Sequence, residues 1–242
     1  MTLLIESLEL TLSNKNIVKN VTLNVTPGEV VGLLGPNGAG KTSTFHMIVG
    51  LIKPNQGNIY LDGKSIRNFS MSKRVQLGIG YLAQEPSVFR NLTVKENLDI
   101  ALFHSGLSRP FCRKKREILI DKFNLSSFVD RYGYQLSGGE RRRCEVARAL
   151  AVGRTDPKYL LLDEPFAGID PIAIYDIQNL IQTLRESGMG LLITDHNVRE
   201  TLAITNRSYI LAEGRVLRSG SSDEVSNDPI VKKYYLGENF QL

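Results

Sequence analysis

PGEVVGLLGPNGAGKT, residues 27–42, fixes the architecture of this 242-residue chain. A Pro-Gly turn leads into a short apolar strand, and a glycine-rich loop then runs into helix-forming residues. The spacing Gly35-x-x-x-x-Gly40-Lys41-Thr42 is the P-loop pattern. In that pattern backbone N–H groups cradle phosphates, the lysine reaches the β- and γ-phosphates, and the threonine hydroxyl binds Mg²⁺. We therefore predict a nucleotide site in this loop. Its expected residues are Gly35, Pro36, Asn37, Gly38, Ala39, Gly40, Lys41, Thr42 and Ser43.

A second strand supplies the acids that a P-loop needs. YLLLDE, residues 159–164, is an apolar run that ends in Asp163 and Glu164. Such a run predicts a strand buried on both faces, and ligands of parallel sheets bind at the carboxyl ends of the strands. We expect Asp163 to hold Mg²⁺ and Glu164 to accept the proton of the attacking water.

Two further strands end in polar side chains at the same predicted edge. GIGYLAQ ends in Gln84, and LLITDH ends in His196. An amide at that position orients Mg²⁺ and the water, and it withdraws when the adjoining loop moves. A histidine beside a nucleotide contacts the γ-phosphate and helps to hold the water. We predict that Gln84 and His196 assist Glu164 in catalysis, and that Gln84 is also a metal ligand.

A second glycine turn lies about a hundred residues after the first. LSGGERRRCE, residues 136–145, begins a helical pattern with Ser137, Gly138 and Gly139. The unpaired N–H groups of a helix start are an anion site. Two such sites in one chain are explained by a symmetric homodimer, in which each turn reaches the γ-phosphate held by the partner's P-loop. ATP then joins the subunits, and hydrolysis releases them.

The order of strands and helices predicts an α/β fold. Strands alternate with helices, which indicates a mainly parallel sheet covered on both faces. Early alternating segments and an Asp62-Gly63 hairpin predict an antiparallel β subdomain. A capping box at Thr93-x-x-Glu96 opens a helical insertion. The expected parts of one domain over 1–242 are a nucleotide-binding core at about 1–87 and 156–220, a helical subdomain at about 88–155 and a C-terminal extension at about 208–242.

Composition narrows the class of protein. The formal net charge is +5, and basic clusters at 113–117 and 140–145 are predicted to be solvated helix faces. No aromatic-interleaved nucleic-acid module is present, so specific nucleic-acid binding is not expected. Cys112 and Cys144 fit no metal spacing and no disulfide framework. No apolar run is long enough to span a membrane and the N-terminus is not a signal peptide, so we expect a cytoplasmic protein.

In this order, GPNGAGKT, Gln84, LSGGE, LLLDEP, AGID and ITDH resemble the motifs of the ATP-binding-cassette (ABC) ATPases, from residue 3 to about 220. The resemblance implies that the chain binds and hydrolyses Mg·ATP. It also implies that Asp170, at the end of AGID, lies in a loop that communicates across the dimer. The stretch after Gln84 is then expected to dock on transmembrane subunits, which are separate polypeptides.

Longer stretches resemble one branch of that family. QEPSVFRNLTVKENL, DEPFAGIDPIA, ITDHNVRETL and the ending YLGENFQL are similar to the ATPase of the lipopolysaccharide-export system. This implies a homodimer on the cytoplasmic face of the inner membrane that powers lipopolysaccharide extraction through a pair of membrane proteins. By the same resemblance, Phe89 and Arg90 lie in the groove that receives the partner's coupling helix.

Two departures leave alternatives open. Leu12 stands where ABC ATPases usually carry an aromatic residue that stacks on adenine, so stacking is replaced by apolar contact. Glu140 replaces a common glutamine, a change that branched-chain amino-acid importers share with the export family. An importer ATPase of that type is therefore the first alternative, and the export-like ending favours export. A non-transport nucleotide switch that acts on nucleic acid or ribosomes is the second; it usually needs tandem cassettes or long insertions.

Overall fold

The computed structural model describes residues 2–240, which form two β-sheets and a set of helices. The strands, in chain order, are β1 (Leu3–Leu12), β2 (Lys15–Val25), β3 (Val30–Leu34), β4 (Gln56–Leu61), β5 (Lys64–Ser65), β6 (Ile79–Leu82), β7 (Tyr159–Asp163), β8 (Gly190–Thr194), β9 (Arg207–Ala212) and β10 (Arg215–Gly220). The helices are α1 (Lys41–Val49), α2 (Met71–Gln76), α3 (Val94–Phe103), α4 (Arg109–Lys122), α5 (Gly138–Ala151), α6 (Pro171–Glu186), α7 (Val198–Leu202), α8 (Ser222–Asn227) and α9 (Pro229–Val231). Short 3₁₀ turns cover Ser126–Phe128 and Gly133–Gln135, and a π-helical turn covers Lys232–Leu236.

The larger sheet has the order β10-β9-β3-β8-β7-β6. Strands β9, β3, β8, β7 and β6 are parallel, and β10 pairs antiparallel with β9 at the edge. Every residue of β3, β7 and β8 is buried, as the apolar runs predict. The carboxyl ends of β3, β6, β7 and β8 therefore meet at one edge, where parallel sheets bind ligands.

The smaller sheet is antiparallel, with the order β2-β1-β4-β5. Both of its hairpins turn through two residues with positive φ, namely Ser13-Asn14 (47° and 63°) and Asp62-Gly63 (52° and 80°). Consecutive positive-φ residues match the right-handed twist of the flanking strands. The antiparallel β subdomain predicted from the sequence is present.

Helices α3, α4 and α5 form the helical insertion that the sequence predicts. Thr93 and Glu96 form the expected capping box at the start of α3. One hydrophobic cluster joins these helices to α6 and to one face of the sheet, through Leu160 and Leu162 of β7. The insertion thus shares a continuous core with the sheet. The boundaries of the three parts remain a prediction.

The opposite face of the sheet is covered by α1 and the smaller sheet. Leu161 belongs to that second cluster, because alternate residues of β7 point to opposite faces. The C-terminal extension packs on Leu34 and Ile210 through Val225 and Val231. The last two residues of the YLGENFQL ending lie outside the described residues.

Short helices are the main elements that sequence patterns did not anticipate. Helix α2 is capped by Ser70 and has six residues, and α7 has five. Neither is long enough for a clear apolar period. By contrast, the predicted Asp170 cap and Pro171 first turn of α6 are observed. Among residues 2–240, no helix has both the length and the apolar character needed to cross a membrane.

Candidate functional site

The P-loop is shaped by glycines with positive φ where the chain passes close to other backbone. Gly35 has a φ of 147°, and a Cβ there would lie 2.1 Å from the Leu211 carbonyl oxygen. Gly40 has a φ of 101°, and a Cβ there would lie 2.9 Å from the Ile17 carbonyl oxygen. Side chains at either position would force the loop open. The loop then leads directly into α1, which begins at Lys41.

Lys41 is buried inside the loop with 6% of its surface exposed. Its Nζ donates to the carbonyl oxygens of Gly35 (2.7 Å) and Pro36 (3.1 Å). Burial lowers the pKa of the Lys41 ammonium group, and the nearby carboxylates of Glu164 and Asp163 oppose that shift. The cation, the loop and the two acids therefore lie together, as predicted.

Asp163 ends β7 as a buried carboxylate with one satisfied oxygen. The Tyr81 hydroxyl donates to Oδ2 at 3.3 Å, while Oδ1 is buried and accepts no hydrogen bond from the residues that the structure describes. Burial raises the pKa of the Asp163 carboxyl to about 6, and the charge of Glu164 adds to the rise. Burial likewise raises the pKa of the Tyr81 hydroxyl well above its usual range. An unpaired buried carboxylate oxygen is a ready ligand for a cation.

Residues 2–240 do not offer a metal cage made of protein groups alone. Among the described residues, no cluster of three or more His, Cys, Asp and Glu side chains is placed to hold a metal ion. Mg²⁺ is commonly held by one or two carboxylates together with substrate phosphates. The single free oxygen of Asp163 beside the P-loop fits that second pattern.

Glu164 is the meeting point of the predicted catalytic side chains. Gln84 Nε2 donates to its Oε2 at 2.9 Å, and His196 Nε2 lies 2.7 Å from its Oε1. The backbone of Glu164 has a φ of 49°, and its N–H donates to the Thr194 carbonyl at 2.7 Å. A positive φ at a non-glycine residue costs on the order of 1 kcal/mol, and such residues cluster at functional sites. Three strand ends predicted separately from the sequence are thus joined at one carboxylate.

Arg142 is a residue of this site that the sequence analysis missed. The cluster at 140–145 was predicted to be a solvated helix face, which is wrong for Arg142 and Glu145 because both are buried. Arg142 donates to the carbonyls of Asp163 (3.0 Å) and Glu164 (2.8 Å) and to Glu145 Oε2 (3.1 Å). It also donates to the carbonyls of Ala83 and Pro165.

The spacing of residues along α5 could have identified Arg142 as buried. Arg142 precedes Val146 by four residues and Leu150 by eight, so it falls on the buried face of α5. A charged side chain on that face must be paired or hydrogen-bonded. The carbonyls of Asp163, Glu164 and Pro165 accept most of the hydrogen bonds that the buried Arg142 guanidinium needs.

The Ser-Gly-Gly turn belongs to a different group of contacts. Ser137 caps α5 and is exposed, and its hydroxyl accepts from the Glu140 N–H at 3.2 Å. A Cβ on Gly138 would lie 3.1 Å from the Ile169 side chain, and one on Gly139 would lie 2.7 Å from the Ala173 side chain. The turn therefore packs on the segment that contains Asp170. The Asp170 carboxylate is occupied in capping α6, where it accepts from the Ala173 N–H at 3.0 Å.

A groove of about 370 Å³ lies beside the segment that follows Gln84. Phe89 is 46% exposed there, and the Arg148 guanidinium lies 4.8 Å from the centre of its ring. Arg148 also donates to the Ser87 carbonyl. Arg90 is exposed but does not line the groove. The lining residues are Tyr81, Leu82, Ser87, Phe89, Ile100, Ala101, His104, Glu145, Arg148, Ala149 and Val152.

Leu12, the expected apolar contact for the base, is 44% exposed at the end of β1. It stands next to the Ser13-Asn14 turn and pairs with Lys15. An exposed aliphatic side chain at a hairpin end offers a small apolar surface without an aromatic ring.

Comparisons of sequence agree on one family. The profile described as "ABC transporter" matches residues 18–167. The chain is 51% identical over 238 residues to the lipopolysaccharide export system ATP-binding protein LptB of Haemophilus influenzae, with 98% of each protein covered. It is 48% identical over 242 residues to LptB of Escherichia coli, with 100% of this chain and 99% of that protein covered.

Solved structures have the same fold. The ADP conformation of MJ1267, an ATP-binding cassette of an ABC transporter, has a TM-score of 0.87 at 28% identity and covers 98% of this chain and 100% of its own. A dimeric structure of the cassette MJ0796 bound to ADP and Pi has a TM-score of 0.78 at 26% identity, with 92% and 99% covered. The predicted fold class is confirmed.

Proposed function

The chain belongs to the ABC transporter family of ATP-binding cassettes, and from that premise we propose that it is the ATP-hydrolysing subunit of a lipopolysaccharide exporter. One observation carries the hydrolytic part of the proposal. Gln84 and His196 each contact one oxygen of Glu164, next to the unpaired oxygen of Asp163. The cargo rests on the relatives, since LptB proteins 48% and 51% identical to this chain are named for lipopolysaccharide export. Those names favour export over amino-acid import.

ATP binds with its phosphates in the loop formed by residues 35–43. The backbone N–H groups at the start of α1 face the phosphates, and the helix dipole favours negative charge there. Lys41 exchanges the carbonyls of Gly35 and Pro36 for the β- and γ-phosphates. Leu12 provides an apolar surface for the base.

Magnesium fits the side chains present at this edge. Oδ1 of Asp163, the amide oxygen of Gln84 and the hydroxyl of Thr42 are the groups that would hold the ion. When bound, Mg²⁺ neutralises phosphate charge and thereby lowers the cost of charge build-up during transfer.

Glu164 accepts the proton of the attacking water. The water oxygen forms a bond to the γ-phosphorus, the bond to the bridging oxygen of ADP breaks, and the proton passes to a Glu164 oxygen. His196 releases that carboxylate oxygen and contacts the γ-phosphate instead. Gln84 orients the water from the other side of the carboxylate.

Two subunits complete each site. Ser137, Gly138 and Gly139 of one subunit reach the γ-phosphate held by the other, and Asp170 lies beside them at the dimer contact. The packing of this turn on the Asp170 segment supports a single docking surface. MJ0796 cassettes, which have this fold, are dimeric.

Transport requires membrane partners that this cassette drives. Phe89 in the groove and Arg90 beside it contact the coupling helix of a transmembrane subunit. The protein then sits peripherally on the cytoplasmic face of the inner membrane. In this arrangement the core (1–87 and 156–220), the helical subdomain (88–155) and the C-terminal extension (208–242) are the functional parts.

Reconstitution of the complex tests the proposal. The protein is co-purified with its partners from detergent-solubilised membranes and placed in vesicles that contain lipopolysaccharide. ATP should drive lipopolysaccharide out of the vesicles in the presence of periplasmic acceptor proteins. Phe89→Ala should lose co-purification while keeping the ATPase activity of the isolated subunit. ATP-driven amino-acid uptake without lipopolysaccharide release would contradict the export assignment.

A further inference from the structure

Two side chains, one within β6 and one just after it, donate hydrogen bonds to the two acids of the site. Gln84, two residues beyond the end of the strand, donates to Glu164. Tyr81, within the strand, donates its hydroxyl proton to Oδ2 of Asp163 at 3.3 Å. The sequence predicts a role for Gln84 but none for Tyr81. From the sequence alone, Tyr81 is one more apolar residue of a buried strand.

The Tyr81 contact makes the two oxygens of Asp163 different. Oδ2 has a donor, whereas Oδ1 is buried and has no hydrogen-bond partner within residues 2–240. Leaving a buried acceptor unsatisfied is energetically unfavourable. A buried group of this kind calls for an explanation, and a cation that arrives with a ligand supplies the missing partner.

Both sides of the Tyr81–Asp163 contact are held in place. The Tyr81 ring meets the His46 ring of α1 edge-on, with centroids 6.4 Å apart and planes at 86°. Tyr81 pairs in register with Leu161, two residues before Asp163. The Asp163 carbonyl accepts from Arg142 at 3.0 Å. The hydroxyl therefore meets a carboxylate whose backbone is fixed.

We propose that Tyr81 is a positioning residue for the metal: its hydroxyl fixes the Asp163 carboxylate with one oxygen turned toward the Mg²⁺ that accompanies ATP. The inference rests on the proposed function, because it requires Mg·ATP at this site. Without the hydroxyl, Asp163 loses its side-chain donor and its carboxylate can rotate. Metal affinity should fall, while nucleotide affinity in the absence of metal should not change.

The test uses the full-length Tyr81→Phe variant and Mn²⁺ as the probe. Electron paramagnetic resonance measures Mn²⁺ binding to the complex with adenylyl imidodiphosphate, which is not hydrolysed. The apparent Kd for Mn²⁺ should rise about fivefold, as expected for the loss of one hydrogen bond to a carboxylate. The Kd of the nucleotide in EDTA should stay within about twofold. Tyr81→Leu, which also removes the ring, should show the same loss of Mn²⁺ affinity.

Tyr159→Phe is the matched control, because Tyr159 is buried on β7 and, among the described residues, its hydroxyl donates to no carboxylate of the site. It should keep the native Mn²⁺ affinity. Unchanged Mn²⁺ affinity in Tyr81→Phe, or an equal loss of metal-free nucleotide affinity, overturns the inference. Asp163→Asn separates the two proposals. If it abolishes Mn²⁺ binding while Tyr81→Phe does not weaken it, only the role of Tyr81 is lost; if it has no effect, the metal site itself is misassigned.

Discussion

The P-loop and the Ser137–Gly139 turn are both glycine-rich helix starts, yet their surroundings differ. The P-loop encloses a buried lysine and lies beside the buried acids Asp163 and Glu164, and Glu164 in turn contacts Gln84 and His196. In the Ser137–Gly139 turn Ser137 is exposed, Gly138 is half-buried and Gly139 is buried, and the hydrogen bonds of the serine side chain and N–H are those of its own capping box. In the proposed function the P-loop and the side chains around Glu164, here called the chemical half, carry the chemistry, and the Ser137–Gly139 turn offers its N–H groups to a nucleotide held by the partner subunit. Each subunit would then contribute two unequal parts to two sites.

The strongest test of this division removes the base from the chemical half. Glu164→Gln keeps a polar side chain of the same size beside Gln84 and His196 but cannot take up the proton. Turnover should fall about 10²- to 10⁴-fold, while ATP binding persists and the dimer accumulates on a sizing column. Glu186→Gln, at the exposed end of α6, should hydrolyse ATP normally. Normal turnover by Glu164→Gln would assign the base elsewhere.

Lys41→Ala tests the cradle of the same half. The variant loses a buried cation that the P-loop carbonyls bind near the carboxylates of Glu164 and Asp163. The Kd for ATP should rise on the order of a hundredfold, the equivalent of about 3 kcal/mol for hydrogen bonds made by a charged group. Isothermal titration measures it directly. An unchanged Kd is incompatible with the cradle assignment.

The buried acid of the chemical half should make stability depend on pH. The pKa of Asp163 is raised to about 6 from an ordinary value of 3.8, so the folded state binds more protons than the unfolded state between these values. Stability should therefore fall as the pH rises from about 4 to about 6. Asp163→Asn should remove this contribution and stabilise the metal-free protein at pH 7 by on the order of 3 kcal/mol. Thermal melting from pH 4 to 8 without nucleotide, compared with the parent, checks the sign.

Ser137→Ala probes the Ser137–Gly139 turn and has a matched control in the same chain. Ser221 forms an equivalent capping box with Glu224 at the start of α8. Both alanine variants should lose about 1 kcal/mol of helix-cap stability. ATP-dependent dimerisation and turnover should fall about tenfold in Ser137→Ala and stay normal in Ser221→Ala. Equal effects would mean that Ser137 acts only as a cap.

Leu12→Tyr should have the smallest effect. Leu12 is exposed at the end of β1, and in the proposed function it contributes only apolar contact to the base. An aromatic ring that stacks on adenine adds about 1 kcal/mol, so the Kd for ATP should fall about fivefold while the affinity for inorganic triphosphate stays the same. An equal gain for both ligands would show that the ring does not contact the base.

Local sequence signals predicted much of the fold and of the candidate site. The Asp170-Pro171 cap and the apolar run before Asp163 depend on neighbouring residues, and both are observed. The contacts of Arg142 and Tyr81 are different, because they join segments 21 or more residues apart. Helical spacing can place Arg142 on the buried face of α5, but no period or motif in a single sequence reports which atoms of another element such a side chain contacts. Short helices such as α2 and α7 were not predicted for a related reason, because tertiary packing rather than sequence pattern determines them.

Helix α5 has a mechanical consequence for the whole molecule. Its first residue adjoins the Ser137 turn, Arg142 joins it to the backbone of both acids, and Arg148 borders the groove. At 1.5 Å per residue, Arg142 lies about 6 Å from one of these points and about 9 Å from the other. If α5 moves as a rigid body about Arg142, a displacement of one end moves the other end in the opposite direction. If the proposed membrane partner tilts the helix at Arg148, the Ser137 end should therefore move in the opposite direction, with the backbone of Asp163 and Glu164 as the pivot.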